Sequence, residues 1–311
     1  MRALVTGGGG FIGSHLVRAL IPQARSVRVL DNFSTGYRGN LADVAEDIDI
    51  VEGDLRSYER VHTAVRGIDV VFHQAALPAV PRSVQDPLTT NAVNIEGTLN
   101  VLLASRDEDV RRVIFASSSS IYGNAPELPR VETARPAPLS PYAVAKLAAE
   151  FYCASFTHVY GLETVSLRYF NVFGPRQDPR SQYAAVVPFF MRLASEGRVL
   201  PITGDGSESR DFTFVDDVVR ANILAADAPG AGGRVFNAGA GRQVTVDELI
   251  ACIGEVLGRE VRAENVAPRP GDVLHSWADI TAAREVLGYE PHTDLLTGLK
   301  RFAEWSGFTS P

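Results

Sequence analysis

The chain has 311 residues, 45% of them hydrophobic and 22% charged, with a formal net charge of −7. That length and apolar content suffice for a substantial core in one large domain or two smaller ones. The acidic balance weighs against non-specific nucleic-acid binding, and no apolar stretch is long enough to span a bilayer. The strand-like run Ala3–Val5 stands almost at the start, so no secretory leader is expected. Cys153 and Cys252 lie far apart in helix-like segments and read as reduced thiols of a cytoplasmic protein, with no metal site and no disulfide.

Short runs rich in Val, Ile or Phe mark strands at Ala3–Thr6, Val27–Leu30, Ile48–Val51, Val70–His73, Val113–Ala116 and Thr164–Arg168. Such near-continuous apolar runs suit parallel strands covered on both faces. Helices are expected between them at Phe11–Leu20, Tyr58–Val65, Leu88–Ser105 and Pro141–Tyr160. The alternation predicts an α/β fold, a doubly wound parallel sheet with right-handed crossovers. The second half is less regular, broken by Pro and Gly clusters at Gly174-Pro175, Gly204–Gly206, Pro229–Gly233 and Pro268–Gly271. It reads as a smaller substrate-binding lobe over residues 169–311, the first 168 residues forming the dinucleotide-binding domain. Segments around 212–240 are expected to return partly to the sheet.

The stretch Thr6-Gly7-Gly8-Gly9-Gly10-Phe11-Ile12-Gly13 joins the first strand to the first helix. Gly7 permits a tight turn, Gly10 lets a pyrophosphate approach the backbone, and Gly13 lets helix and strand pack closely. The helix N-terminus supplies N–H donors and partial positive charge for that pyrophosphate. Asp31, directly after the second strand, is placed to accept the adenosine ribose hydroxyls and to repel a 2′-phosphate, so NAD is expected over NADP. Asp54-Leu55, at the end of the third strand, is a reasonable place to meet the adenine. At the end of the fourth, Gln74-Ala75-Ala76 leaves room for cofactor, whereas His73 reads as a hydrogen-bonded core residue.

Ser140-Pro141 opens the last of these helices as N-cap and first-turn proline. Tyr142 and Lys146, spaced four apart, share one face of it. A phenol of pKa about 10 is a poor base at neutral pH. A neighbouring ammonium and the positive nicotinamide of NAD would stabilise its phenolate. Ser117–Ser120 stand at the C-terminal end of the fifth strand, the edge where open α/β sheets bind ligands, and a hydroxyl there could bridge a sugar oxygen and Tyr142.

Together these elements resemble the extended short-chain dehydrogenase/reductase family, and within it the UDP-hexose 4-epimerases. The resemblance spans nearly the whole chain. It continues through Arg168-Tyr169-Phe170-Asn171-Val172-Phe173-Gly174-Pro175-Arg176, Gly204-Asp205-Gly206 before Arg210-Asp211-Phe212, and Arg269-Pro270-Gly271-Asp272. It implies a Rossmann sheet with a smaller C-terminal α/β lobe. It also implies a catalytic hydroxyl at Ser118, a base at Tyr142 and a cofactor-binding lysine at Lys146. The NAD set it implies adds Phe11, Ile12, Asn32, Gly36 and Asn94. For the UDP-hexose it implies Asn171, Arg210 and Arg269 on the phosphates and Asp272 on the ribose, with Ser119, Ser120, Gln177 and Val187 also in the substrate site. Forked arginine donors suit phosphate oxygens. The implied reaction passes through a transient 4-keto sugar, with NAD regenerated in each cycle. By the same analogy a homodimer forms through the Leu88–Ser105 and Pro141–Tyr160 helices.

The resemblance also separates relatives. Dehydratases of the family carry an Asp-Glu pair where Ser119 and Ser120 stand, which disfavours elimination. Glucuronate 4-epimerases commonly have Thr in place of Asn171 and a basic residue in place of Asp178, so a sugar carboxylate is disfavoured. Ser276 occupies the place of a bulky gate beside carbon 2 of the hexose, implying acceptance of UDP-GlcNAc and UDP-GalNAc as well as UDP-Glc and UDP-Gal. The stretch His73–Val84 and Gln177-Asp178-Pro179 also resemble the N-acetyl-preferring subgroup. A UDP-glucuronate 4-epimerase, a nucleotide keto-sugar reductase and a non-catalytic NAD-binding regulatory protein are the competing readings.

Overall fold

Seven parallel strands form the central sheet: β1 (Arg2–Thr6), β2 (Ser26–Asp31), β3 (Ile48–Glu52), β4 (Val70–His73), β5 (Arg112–Ser118), β6 (Glu163–Tyr169) and β7 (Arg234–Ala238). Their order is β7-β6-β5-β4-β1-β2-β3. The computed structural model describes residues 1–178, 185–204, 206–266 and 274–308. Successive strand residues face opposite layers. Thus Ala3 and Val5 join one core with Leu16, Val17 and Leu20 of α1 (Phe11–Leu20). Leu4 joins the other, with Val61 and Val65 of α2 (Tyr58–Val65), Val101 and Leu102 of α3 (Gly97–Asp107), and Phe156 of α4 (Pro141–Tyr160). All four β4 residues are buried, as a strand covered on both faces requires.

The chain reverses direction across the sheet between β1 and β4: β2 and β3 build outward on one side, β4, β5 and β6 on the other. The crevice at this switch point lies beside the C-terminal ends of the strands, where α/β sheets bind ligands. The six strands expected in the first half are all present, and β7 comes from late in the sequence to pair with β6. One helix differs from expectation. In place of a continuous helix over Leu88–Ser105 the chain forms Pro87–Asn91, a π turn at Ala92–Glu96, and then α3. The π turn holds Asn94, whose side chain binds both backbone groups of Leu77: Oδ1 accepts from its N–H at 2.8 Å and Nδ2 donates to its carbonyl at 3.1 Å.

The remaining elements include α5 (Val186–Ser195), α6 (Val215–Asp227) and α7 (Val246–Leu257). Helix α6 packs back on α1, its Val218, Ala221 and Ala225 sharing the first core. A three-stranded sheet pairs Ser209–Arg210 with Val244–Thr245 on one side and His275–Ser276 on the other.

Candidate active site and cofactor cleft

The turn after β1 is built by close approach. Gly7 has φ +72°, and a Cβ there would lie 2.7 Å from the Ala75 backbone nitrogen; a Cβ on Gly13 would lie 2.1 Å from the Gly7 carbonyl oxygen. These contacts press the start of α1 against the turn. No side chain caps α1 at Gly10, so its first N–H groups face the cleft, available to an anion. At the end of β2, Asp31 accepts the Gly9 N–H at 2.8 Å and the Phe33 N–H at 2.7 Å. Burial nevertheless pushes its pKa up, against those two bonds.

A cleft of about 910 Å³ runs from this turn across the strand ends. Of the expected cofactor set, Gly7, Gly10, Phe11, Ile12, Gly13, Asp31, Asn32, Gly36, Asp54, Leu55, Gln74, Ala75, Ala76, Tyr142 and Lys146 line it. Asn94 does not line it and instead clamps Leu77. Asn32 donates to Asp54 at 2.9 Å, and hydrogen bonding to Arg56 holds the Asp54 carboxyl down at about 2. His73 is a satisfied core residue, between the Thr6 hydroxyl at 2.7 Å and the Thr98 hydroxyl at 2.9 Å; burial depresses it to about 3.

At the other end of the cleft, the Ser140 hydroxyl caps α4 by accepting from Ala143 N–H at 3.2 Å, and this fixes the turn that carries Tyr142 and Lys146. Lys146 Nζ donates to the Ala116 carbonyl at 2.6 Å and stands 5.9 Å from the centre of the Tyr142 ring. Burial lowers Lys146 to about 8. Burial also raises the Tyr142 phenol, only partly opposed by its hydrogen bond with Ser118. The expected lowering by the ammonium is therefore not present in the protein alone: the lysine spends its hydrogen bond on a backbone carbonyl, and desolvation dominates. Ser118 also caps the short 3₁₀ turn Ser119–Tyr122 by accepting from Ser120 N–H at 3.2 Å. The buried Ser120 Oγ and Gln177 Oε1 have no hydrogen-bond partner among the described residues.

Among the residues expected to contact substrate, Gln177 lines the cleft and donates to the Val172 carbonyl at 3.2 Å. Asn171 is exposed with φ +25°, and its carbonyl accepts from Thr213 N–H at 3.3 Å. Arg210 and Ser276 are register partners in adjacent strands; Arg210 donates to the Ser209 carbonyl at 2.8 Å and the Leu274 carbonyl at 2.9 Å. Asp211, next to Arg210, takes N–H groups from Ala240, Gly241 and Ala278 and so binds three segments together. Val187 sits in the core at the start of α5. Arg269 and Asp272 lie outside the described residues, as do Pro179 and Asp205.

Sequence reasoning passed over two groups. Tyr37 lines the cleft and donates its hydroxyl to Asp178 at 3.0 Å, a pairing across 141 residues that no local signal announces. Glu150, Arg168 and Ser117 form a buried cluster beside Lys146. Its one sequence signal is the repeat of Tyr142, Lys146 and Glu150 at intervals of four.

The sequence profile of the NAD dependent epimerase/dehydratase family matches residues 3–239. The UDP-glucose 4-epimerase of Mycolicibacterium smegmatis is 39% identical, the match covering 98% of each chain. Among solved structures, the UDP-N-acetylglucosamine 4-epimerase of Methanobrevibacter ruminantium, in complex with UDP-N-acetylmuramic acid, superimposes with a TM-score of 0.93 at 40% identity, covering 98% of this chain and 97% of its own. The UDP-glucose 4-epimerase of Thermus thermophilus in complex with NAD superimposes with a TM-score of 0.89 at 37% identity, covering 98% of each chain.

Proposed function

The chain belongs to the NAD dependent epimerase/dehydratase family, and from that premise we propose that it inverts carbon 4 of UDP-linked hexoses. The observation that carries this reading is the meeting of Tyr142, its Ser118 hydrogen bond and Lys146 at one end of a cleft whose other end is the glycine turn and Asp31. The residues present fit NAD. The turn has no space for side chains at Gly7 or Gly13, the first N–H groups of α1 suit a pyrophosphate, and the Asp31 carboxylate suits a ribose diol while repelling a 2′-phosphate. Bound NAD supplies the acceptor and donor of hydride.

The chain's own groups handle the proton and the geometry. Tyr142 takes the proton of the 4-hydroxyl and returns it after the sugar has presented its other face. Ser118 hydrogen-bonds the phenol and orients the reacting oxygen. Lys146 places a positive charge on the same helix face, which together with the nicotinamide of bound NAD would favour the ionised phenol. Affinity belongs on the UDP moiety, through Asn171, Arg210, Arg269 and Asp272, since a tightly held hexose could not turn over. Ser119, Ser120, Gln177 and Val187 complete the proposed substrate set.

Ser276 supports acceptance of N-acetylated hexoses, because a small side chain leaves room beside carbon 2. Asp178, next to Gln177 on the cleft wall, disfavours a sugar carboxylate. A homodimer is proposed through α4 and the Pro87–Asn91 and α3 helices, where Leu88 is 82% exposed and Phe151 63% exposed, with Val144 and Val159 also exposed on α4. Both cysteines are free, in keeping with a reducing cytoplasmic setting. Among the described residues no helix is long and apolar enough to cross a membrane.

The reading is tested by incubating the protein with UDP-Glc, UDP-GlcNAc and UDP-GlcA without added reductant and identifying the products. Interconversion of the 4-epimers with no net nicotinamide reduction is expected. A product whose formation consumes or releases stoichiometric NAD(P)H would replace the epimerase with a dehydrogenase or reductase.

A further inference from the structure

One turn beyond Lys146 on the same face of α4, the chain places Glu150, which is 4% exposed. Its two oxygens are held by Arg168: Nε donates to Oε1 at 3.0 Å and Nη2 to Oε2 at 2.8 Å. Oε1 has a second donor, the Ser117 hydroxyl. Removing both charges from water costs about as much as their attraction returns, so an enclosed pair of this kind is weak evidence for stability. Its neighbours suggest another role. Ser117 is followed in β5 by Ser118, the hydrogen-bond partner of Tyr142.

The charges around Lys146 single out the same carboxylate. From β4 the ammonium is faced by His73, which burial keeps neutral. From β5 it meets the Ala116 carbonyl and the Phe115 ring, both uncharged. Its own helix presents the phenol of Tyr142, the thiol of Cys153, whose thiolate would act on the ammonium more than any other group but which burial pushes up to about 12 and so keeps neutral, and Glu150. From β6 comes Arg168, already engaged by Glu150. Among the described residues, Glu150 is the carboxylate that acts on this buried ammonium.

We propose that Glu150 is a positioning residue for the reaction, fixing the Ser117–Ser118 strand end through the Ser117 hydroxyl and supplying the counter-charge that keeps Lys146 an ammonium beside Tyr142. Arg168 holds the carboxylate in place for both tasks. The inference rests on the epimerase reading for its link to turnover, but its electrostatic half concerns Lys146 alone.

Glu150→Gln keeps an oxygen for Ser117 and removes the charge. Lys146 is charged below its folded pKa and loses its proton as pH rises through it, so activity that needs the ammonium falls on the alkaline side. In Glu150→Gln that limb moves down by about one pH unit, and above it the rate is roughly tenfold lower than wild type, with KM little changed. Glu150→Asp restores the position of the limb. Ser117→Ala lowers kcat at every pH without moving it. The pH dependence of Lys146 acetylation by acetic anhydride, read by mass spectrometry without substrate, shifts with the limb and needs no turnover. That second readout stands even if the wild-type protein epimerises no UDP-hexose. Should Glu150→Gln fail to fold with its guanidinium unpaired, the double variant Glu150→Gln/Arg168→Gln is compared with Arg168→Gln, from which it differs by the Glu150 charge alone. A folded variant lacking the Glu150 charge, with the limb and labelling curve of the parent that retains it, overturns the proposal.

Discussion

Gly13 offers the sharpest test of how the cofactor turn works. In Gly13→Ala the new methyl would stand 2.1 Å from the Gly7 carbonyl oxygen, 2.8 Å from its carbon and 3.0 Å from Gly8 Cα, where ordinary contact begins at 3.4 Å. The first turn of α1 must therefore retreat by about 1 Å, because the turn at Gly7 has little room to shift: even a Cβ built there would meet the Ala75 backbone at 2.7 Å. Overpacking of this kind costs about 1–3 kcal/mol in stability. The larger consequence falls on the ligand, since a displacement of about 1 Å in a preorganised set of donors can cost on the order of 100-fold. Calorimetric titration of the NAD-free variant should show NAD affinity reduced by about that factor, with turnover partly recovered at high NAD. Gly39→Ala is the control. No atom lies within 4 Å of its Cβ position, and it should bind NAD as wild type does. The argument fails if Gly13→Ala binds NAD within twofold of wild type and melts at the same temperature.

Other outcomes follow from the same geometry. Tyr142→Phe should lower kcat by roughly 10²–10⁴-fold while leaving UDP binding, followed by titration, essentially unchanged. Ser276→Tyr should abolish epimerisation of UDP-GlcNAc and spare UDP-Glc, as measured by comparing kcat/KM for the two. His73 should make the fold acid-labile. Its folded pKa is depressed to about 3, so its contribution is complete above the unfolded value of about 6.5 and is lost as pH falls from there toward 3. Urea midpoints measured across that window should fall more steeply for wild type than for His73→Asn. Leu88→Glu combined with Phe151→Glu should yield a monomer by light scattering if their exposed apolar faces form the dimer.

Much of the framework is legible in the chain because the responsible forces are local. Val70–His73 reads as a buried strand from its own apolar run, and Ser140-Pro141 announces the start of α4 through capping chemistry. The π turn at Ala92–Glu96 is not legible: Asn94 works on Leu77, which local helical periodicity does not report. The state of Tyr142 is likewise hidden. Spacing places Lys146 on the same helix face, but only the packed structure sends its ammonium to the Ala116 carbonyl and buries the phenol enough to raise its pKa. The Ser117–Glu150–Arg168 cluster is assembled from β5, α4 and β6, so its chemistry exists only once the strands have paired.

The late arrival of β7 governs how the protein can be made. A fragment ending at residue 168 would leave β6 as an open edge, with unpaired backbone groups along the strand that flanks β5. Such edges template aggregation. It would also lack α6, whose Val218, Ala221 and Ala225 share the core with α1, leaving that side of the sheet greasy in water. On the ribosome, the nascent sheet therefore waits for residue 238 before its edge is closed, through a contact distant in sequence and slow to form. Expression of residues 1–168 alone should give insoluble material, and chaperone dependence should centre on the interval between synthesis of β6 and β7.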